Sequence, residues 1–271
     1  MKKNILPAAL IACAAVFSGC LTTKTTEAGA VGADRKQLMI VSEEAMEQSA
    51  QEAYAQVLAE AKKNGTLNTD AQTTARVQKI AQRLIAQTPA FRKDAVSWDW
   101  QVNVITDSTV NAWCMPGGKI VVYTGIIQAL DLNDAQLAAV MGHEIAHALK
   151  EHSREQASQD QLKNAGISVV SQAAGLNEAA SGALTIAAQY TITLPFSRSH
   201  EKESDHIGTE LMARAGYDPN EAVAVWKKMS ALSGSSVPEL LSTHPSNESR
   251  IKDLETISRQ VYPLYEAADK Q

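Results

Sequence analysis

The chain has 271 residues, of which 45% are hydrophobic and 20% charged, a balance that supports one substantial globular domain and argues against wholesale disorder or a bundle of membrane spans. Its formal charge of −5 comes with Lys and Arg interleaved among the acids, so no basic stripe is present to neutralise a phosphate backbone, and no nucleic-acid partner is expected. Aromatics are only 5% while Ala is abundant, which favours close-packed helices over a sandwich or barrel; the expected class is α+β, mostly helical.

The chain opens with Lys2 and Lys3 and an apolar run from Ile5 to Phe17, too short to span a bilayer but of the length of a signal-peptide core. It ends in Phe17, Ser18, Gly19 and Cys20. Small residues before a Cys resemble the lipobox of bacterial lipoproteins, with Phe17 where Leu is usual, and the alternative is an ordinary secretory signal with a coincidental Cys. On the lipoprotein pattern residues 1–19 are removed and Cys20 is acylated, which tethers the protein without spanning. Leu21 replaces the Asp that would retain it at the inner membrane, which points to the outer membrane, facing the periplasm. Loss of the two lysines takes the formal charge from −5 to −7. Cys114 is then the one free thiol, so no internal disulfide framework is expected.

Residues 20–34, rich in Thr, Gly and Ala, read as a flexible tether, and residues 35–262 as a single domain. Helix formers dominate from Arg35 to Lys63 and from Thr69 to Gln87, with Asn64-Gly65 as a stop between them. Trp98 to Thr106 alternates as a strand does, with Trp98, Trp100, Val102 and Val104 on one face. Asn111 to Met115, the turn Pro116-Gly117-Gly118, and Lys119 to Thr124 complete a small sheet containing a hairpin. Asn133 is placed to cap a helix running to Lys150, with Gln136 at the capping-box position. Gln156 to Gln189 reads as one or two helices lying over something. A helix from Glu201 to Ala215 closes at Gly216, and Asp218, Pro219 and Glu221 open another that reaches Met229. Residues 263–271 read as a loose tail.

The helix after Asn133 carries His143-Glu144-Ile145-Ala146-His147. Two His four apart lie one turn apart on the same face, so both imidazoles can reach one ion at about 2.0–2.1 Å. Glu144, turned by about 100°, borders that face without ligating, and Leu137, Met141, Ile145, Ala148 and Leu149 fill the opposite arc. A third ligand is required. The pattern with a third His six residues beyond the second fails, because Lys150 and Ser153 stand at its Gly and His positions and His152 is one residue out of step. The better candidate is Glu201, with Asp205 at i+4 placed to accept the N–H of a ligating His. His200 and His206 are rotated away and read as bystanders.

Asn133 to His147, Ser197 to Asp205, and His244-Pro245 followed by Arg250-Ile251 together resemble the family of zinc peptidases that includes the heat-shock protease HtpX, the CAAX prenyl protease and the periplasmic quality-control metallopeptidases. The resemblance covers roughly Trp98 to Arg259 and, with the lipobox in front, is strongest to the family's outer-membrane lipoproteins. Ser204 stands where members usually have Ala. The resemblance implies a zincin-like metallopeptidase fold with a small sheet beside the active-site helix. It also implies His143, His147 and Glu201 as ligands of one zinc ion, Glu144 as general base and Asp205 behind the ligands.

Zinc in such a site lowers the pKa of water from 15.7 to about 7, and Glu144 can take the proton and return it to the leaving amine. The developing oxyanion calls for a further donor: His244, with Arg250 as the rival. His244 can instead be structural, or a fourth ligand that closes a resting site. Asn111, Ala112, Trp113, Cys114 and Met115 form either an edge strand on which extended substrate aligns or a buried hairpin, and Cys114 reads as a quiet packed thiol. The expected activity is cleavage of unfolded or misfolded envelope proteins. The alternative is a peptide-binding chaperone or assembly factor with a structural or shuttered zinc. A serine or cysteine hydrolase lacks a Gly-x-Ser-x-Gly or a recognised Cys/His signature.

Overall fold

The computed structural model describes residues 22–174, 194–232, 240, 244 and 248–269, so the signal segment, Cys20 and the second part of the Gln156 to Gln189 segment lie outside the described residues. Strands β1 (Thr22–Thr23) and β2 (Gln37–Leu38) pair antiparallel. Helices α1 (Glu43–Lys63) and α2 (Ala71–Ile85) follow, capped by the side chains of Ser42 and Asp70. The three-stranded sheet runs β3 (Gln101–Ile105), β5 (Lys119–Tyr123), β4 (Ala112–Met115) in spatial order, with β3 parallel and β4 antiparallel to the central β5. Then come α3 (Thr124–Ala129), α4 (Asp134–Leu149), α5 (His152–Ala174), α6 (Leu194–Arg214), α7 (Asn220–Ala231) and α8 (Glu248–Ala267).

Helix α4 is the axis of the core. Leu137, Met141, Ile145 and Leu149 are almost wholly buried, each contributing about 1.5–3 kcal/mol, against neighbours that include β4, α2, α6 and α7. Asn133 caps it as expected, its Oδ1 accepting from the Gln136 N–H at 2.9 Å. Gln136 does not complete a capping box. Its Nε2 donates to Glu221 at 2.7 Å and its Oε1 accepts from Lys228 Nζ at 2.8 Å, which ties α4 to α7. Helices α4 and α6 touch backbone to backbone: a Cβ on Gly208 would lie 2.7 Å from His143 N and 2.8 Å from Gly142 C, so only glycine fits.

The helix expected from Glu201 begins seven residues earlier, at Leu194, and four further expectations change. The stretch expected as a tether is docked from Thr22 onward. The backbone N–H groups of Ala30 and Val31 donate to the buried Glu210 carboxylate at 2.8 and 3.1 Å, and Thr26 donates to Ala33 O at 2.6 Å. Gly29 there has φ +59, and a Cβ would meet the Phe91 ring at 2.3 Å, so its Gly content serves close approach rather than flexibility. The first helix starts eight residues late, at Glu43. Buried Gln37 sits in β2, donating to Lys150 O and to Glu155, and helix-forming composition does not locate an N-cap. Strand β3 is shorter than the alternation suggested, because Lys93–Ser97 forms a 3₁₀ turn to whose Ala95 carbonyl Trp100 donates. The tail is not loose to its start: α8 continues to Ala267, with Leu264 and Tyr265 packed on Ala213, Ile257 and Val261.

Candidate functional site

One turn of α4 carries His143 and His147 with their Nε2 atoms 3.1 Å apart. Helix α6 supplies Glu201, whose Oε1 lies 3.4 Å from His147 Nε2. His244 arrives from the segment before α8, with Nδ1 2.9 Å from Glu201 Oε1 and 3.3 Å from His143 Nε2. The four donor atoms form one group able to hold an ion. A tetrahedral zinc with bonds of about 2.0–2.1 Å needs ligand atoms about 3.3 Å apart, and these separations straddle that value.

The local charge asks for the same occupant. Glu144, Glu201 and Asp205 are all buried, and ionised they carry three negative charges against the single positive charge of Arg250. With the imidazoles neutral, as ligands are, the remaining deficit of two in a dry site matches a divalent cation. Without one, burial opposes a charge on His143, but Asp205 and Glu201 outweigh it and push its pKa up to about 9, so that it takes part of that charge. Burial opposes ionisation of Glu201, yet the imidazoles of His143, His147 and His244 hold its carboxyl far below the ordinary range. Burial opposes Asp205 likewise, and Arg250 and His143 hold it low.

Asp205 Oδ1 lies 3.1 Å from His143 Nδ1, on the side of the ring away from the donor group. Glu144 stands beside the donor group, with Oε1 3.7 Å from His244 Nε2. That oxygen is buried without a hydrogen-bond partner, and burial pushes the carboxyl upward. An unspent acceptor at this point can take a proton from water.

Arg250 does not face outward as an oxyanion donor would. Its Nε and Nη2 donate to the two oxygens of Asp205 at 2.8 and 2.7 Å, its Nη1 pairs with Glu201 Oε2 at 2.8 Å, and its guanidinium lies 4.0 Å from the Trp226 ring centroid. It braces the carboxylates from behind. His244 lies within the donor group, where a fourth ligand would be.

Strand β4 is an edge of its sheet, and among the described residues no strand pairs with its outer side. Tyr123 N donates to Asn111 O, so by antiparallel alternation the main-chain groups of Ala112 and Cys114 face that open edge, where the Ala112 N–H is already taken up by Asn111 Oδ1 at 2.9 Å. Cys114 is half-buried, and burial of its thiol, with the charge of Glu144 adding to the effect, raises it and favours the protonated form. His206 pairs with Asp253 at 2.6 Å.

His200 is not isolated: it stacks on His152, which lies 3.0 Å from the outer nitrogen of His147. From the sequence, His152 figures only as a third ligand one residue out of step, and Glu203 and Trp226 have no role. Glu151, at φ 52, breaks the helix between Leu149 and His152, so helical spacing from His147 could not place His152.

A sequence profile for Peptidase family M48 matches residues 71–258, a span holding every donor described above. The chain is 39% identical over 153 residues to mitochondrial metalloendopeptidase OMA1 of Arabidopsis thaliana, covering 56% of this chain and 30% of that protein. It is 34% identical over 224 residues to the OMA1 of Schizosaccharomyces pombe, covering 82% and 64%. The β-barrel assembly-enhancing protease of Escherichia coli K12 is 28% identical over 198 residues, covering 69% and 39%. The chain thus spans less than two thirds of each of these relatives.

Proposed function

The chain belongs to peptidase family M48, a zinc-dependent family, and from that premise we propose that it is a zinc endopeptidase that cleaves extended segments of unfolded or misfolded proteins. The observation that carries the proposal is the convergence of His143, His147 and Glu201 on one point, with the unbonded carboxylate oxygen of Glu144 beside it. Zinc in this site would supply a Lewis acid that polarises the scissile carbonyl and makes water acidic enough to react near neutral pH.

The protein's own groups do the rest. Glu144 takes the proton of the attacking water and delivers it to the leaving amine. Asp205 orients His143, and Arg250 holds Asp205 and offsets its charge. The open edge of β4 aligns an extended peptide by main-chain hydrogen bonds, which selects for unfolded segments over particular side chains. Among the described residues no helix is long and apolar enough to cross a membrane. The proposed place is the periplasmic side of a bacterial outer membrane, held by lipid on Cys20; this rests on the sequence from Lys2 to Leu21, while the names of the relatives point partly to mitochondria.

Glu144→Gln tests the activity. The variant should bind zinc as the parent does and cleave an unfolded protein about 10²–10⁴-fold more slowly. Equal cleavage would remove the mechanism. His244 in the position of a fourth ligand lends weight to a second reading, a shuttered site that binds peptide without cutting it, and cleavage by neither protein would favour that reading.

A further inference from the structure

Behind His147, on the side away from the donor group, a second polar cluster links the metal face of α4 to the docked N-terminal segment. His147 Nε2 belongs to the donor group, so its proton resides on Nδ1 when it ligates. His152 Nδ1 lies 3.0 Å from that nitrogen. To accept, His152 carries its own proton on Nε2, which lies 3.1 Å from Glu203 Oε2. The tautomers therefore run in one direction, and the Ser204 hydroxyl, 3.3 Å from His152 Nδ1, is a second neighbour of the same acceptor. Glu203 is gripped in turn by Arg35 of the N-terminal segment, Nε to Oε1 at 2.9 Å and Nη2 to Oε2 at 2.8 Å. Arg35 also forks onto Glu155 of α5 with two 2.8 Å bonds.

The cluster His152, Glu155 and His200 has the residue types of a second metal site, but its geometry argues otherwise. The two imidazoles stack 4.3 Å apart at 15°, so their lone pairs point side by side rather than at a common centre. Both Glu155 oxygens already receive Arg35, and Gln37 donates to Oε2 at 2.7 Å. The cation that belongs here is the guanidinium.

We propose that His152 is a positioning residue for His147 and that Arg35, acting through Glu203, fixes His152, so that docking of the N-terminal segment is part of assembling the metal centre. The inference rests on His147 being a metal ligand. Imidazole ligands are oriented by the partner of their other nitrogen, and loss of such a partner typically costs about 10–100-fold in metal affinity. Lys150, with Nζ donating to Ala33 O and Arg35 O at 3.1 and 3.0 Å, and Glu210 hold the segment independently, so changing Arg35 leaves it docked.

The test is zinc affinity by chelator competition on the full chain, with circular dichroism to check folding. His152→Phe keeps the stack on His200 but has no acceptor, and should bind zinc about 10–100-fold more weakly than the parent. His152→Asn places an oxygen near the former Nδ1 and should stay within about 3-fold of the parent, since the acceptor is retained. Arg35→Met should weaken zinc in the same direction by a smaller factor. Parent-like affinity in His152→Phe, or equal losses in the Phe and Asn variants, overturns the proposal. If His152→Phe does not fold, unchanged affinity in Arg35→Met overturns it. His147→Ala separates the two levels: zinc binding as in the parent would refute the ligand reading itself, whereas loss there with none in His152→Phe refutes this inference alone.

Discussion

Arg250 offers the sharpest energetic test, because the structure assigns its role to bracing carboxylates. It is 7% exposed, donates to both oxygens of Asp205 and pairs with Glu201, while those acids are buried to a similar degree. Arg250→Met preserves most of the apolar stem over Trp226 and removes the charge. Breaking a buried pair from one side costs about 3–5 kcal/mol, because the partner stays charged and dry. The exposed pair Lys227–Glu255, at 3.0 Å, provides the contrast, since such pairs are worth about 0–1 kcal/mol. For a domain of this size about 2–4 °C of Tm goes with each kcal/mol, so Arg250→Met should melt roughly 6–20 °C lower in the metal-free protein, and Lys227→Ala within a few degrees of the parent.

The double variant Arg250→Met/Asp205→Asn decides whether the loss comes from stranded charge or from packing. With the carboxylate neutralised, much of the loss should return, which gives a positive coupling in a double-mutant cycle read by calorimetry under chelator. A fall of less than about 3 °C in the single variant, below the range for a buried pair, or a double variant that falls by the sum of the two singles, would refute the reasoning.

The Glu155 carboxyl is held down at about 2 from 4.5: burial opposes this, but His200 and Arg35 outweigh it. A depressed folded value means the stability is fully present above pH 4.5 and is lost as pH falls from there toward 2, by as much as about 3 kcal/mol. Denaturation at stepped pH should show this slope, and Glu155→Gln should flatten it. Gly208→Ala would drive a Cβ into the backbone at Gly142 and His143; it should cost about 1–3 kcal/mol by denaturant unfolding and weaken zinc as well. His244→Ala leaves three donors, so it should retain zinc and, if His244 closes the site, raise peptide turnover; a fall in turnover with zinc retained would instead support a donor to the oxyanion.

The candidate metal face of α4 was legible because everything that defines it is local. A cap at Asn133, apolar residues on one arc and two His four apart are properties of one continuous helix, and helical geometry carries them unchanged into the structure. Glu201 and Asp205 were legible for the same reason within α6, but their approach to α4 was inferred rather than derived. Legibility fails where the chain changes direction. Arg35 and Gln37 look like the start of a helix, yet their partners Glu155 and Glu203 lie more than a hundred residues away. The Gly and Ala content of residues 20–34 signals a tether equally well as a strap that must lie close against Phe91 and Glu210. Arg250 was read as facing substrate because its charge was visible and its two buried acceptors were not.

The precision of the donor group is set by helix packing rather than by the donors. His143 and His147 hang from α4, and Glu201 and Asp205 from α6, so the separation of these two helices moves both pairs at once. The helices touch at Gly142 against Gly208, one residue before His143 and three after Asp205. His143 Nδ1 and Asp205 Oδ1 lie 3.1 Å apart beside a contact where a Cβ on Gly208 would fall 2.7 Å from His143 N. Arg250 and His244 enter from other segments, so a wider spacing would leave them able to follow Glu201 while losing the histidines. The contact that gives the core its density is therefore the one that brings an acid from a distant helix within reach of the two imidazoles, and a substitution there should weaken fold and metal site together.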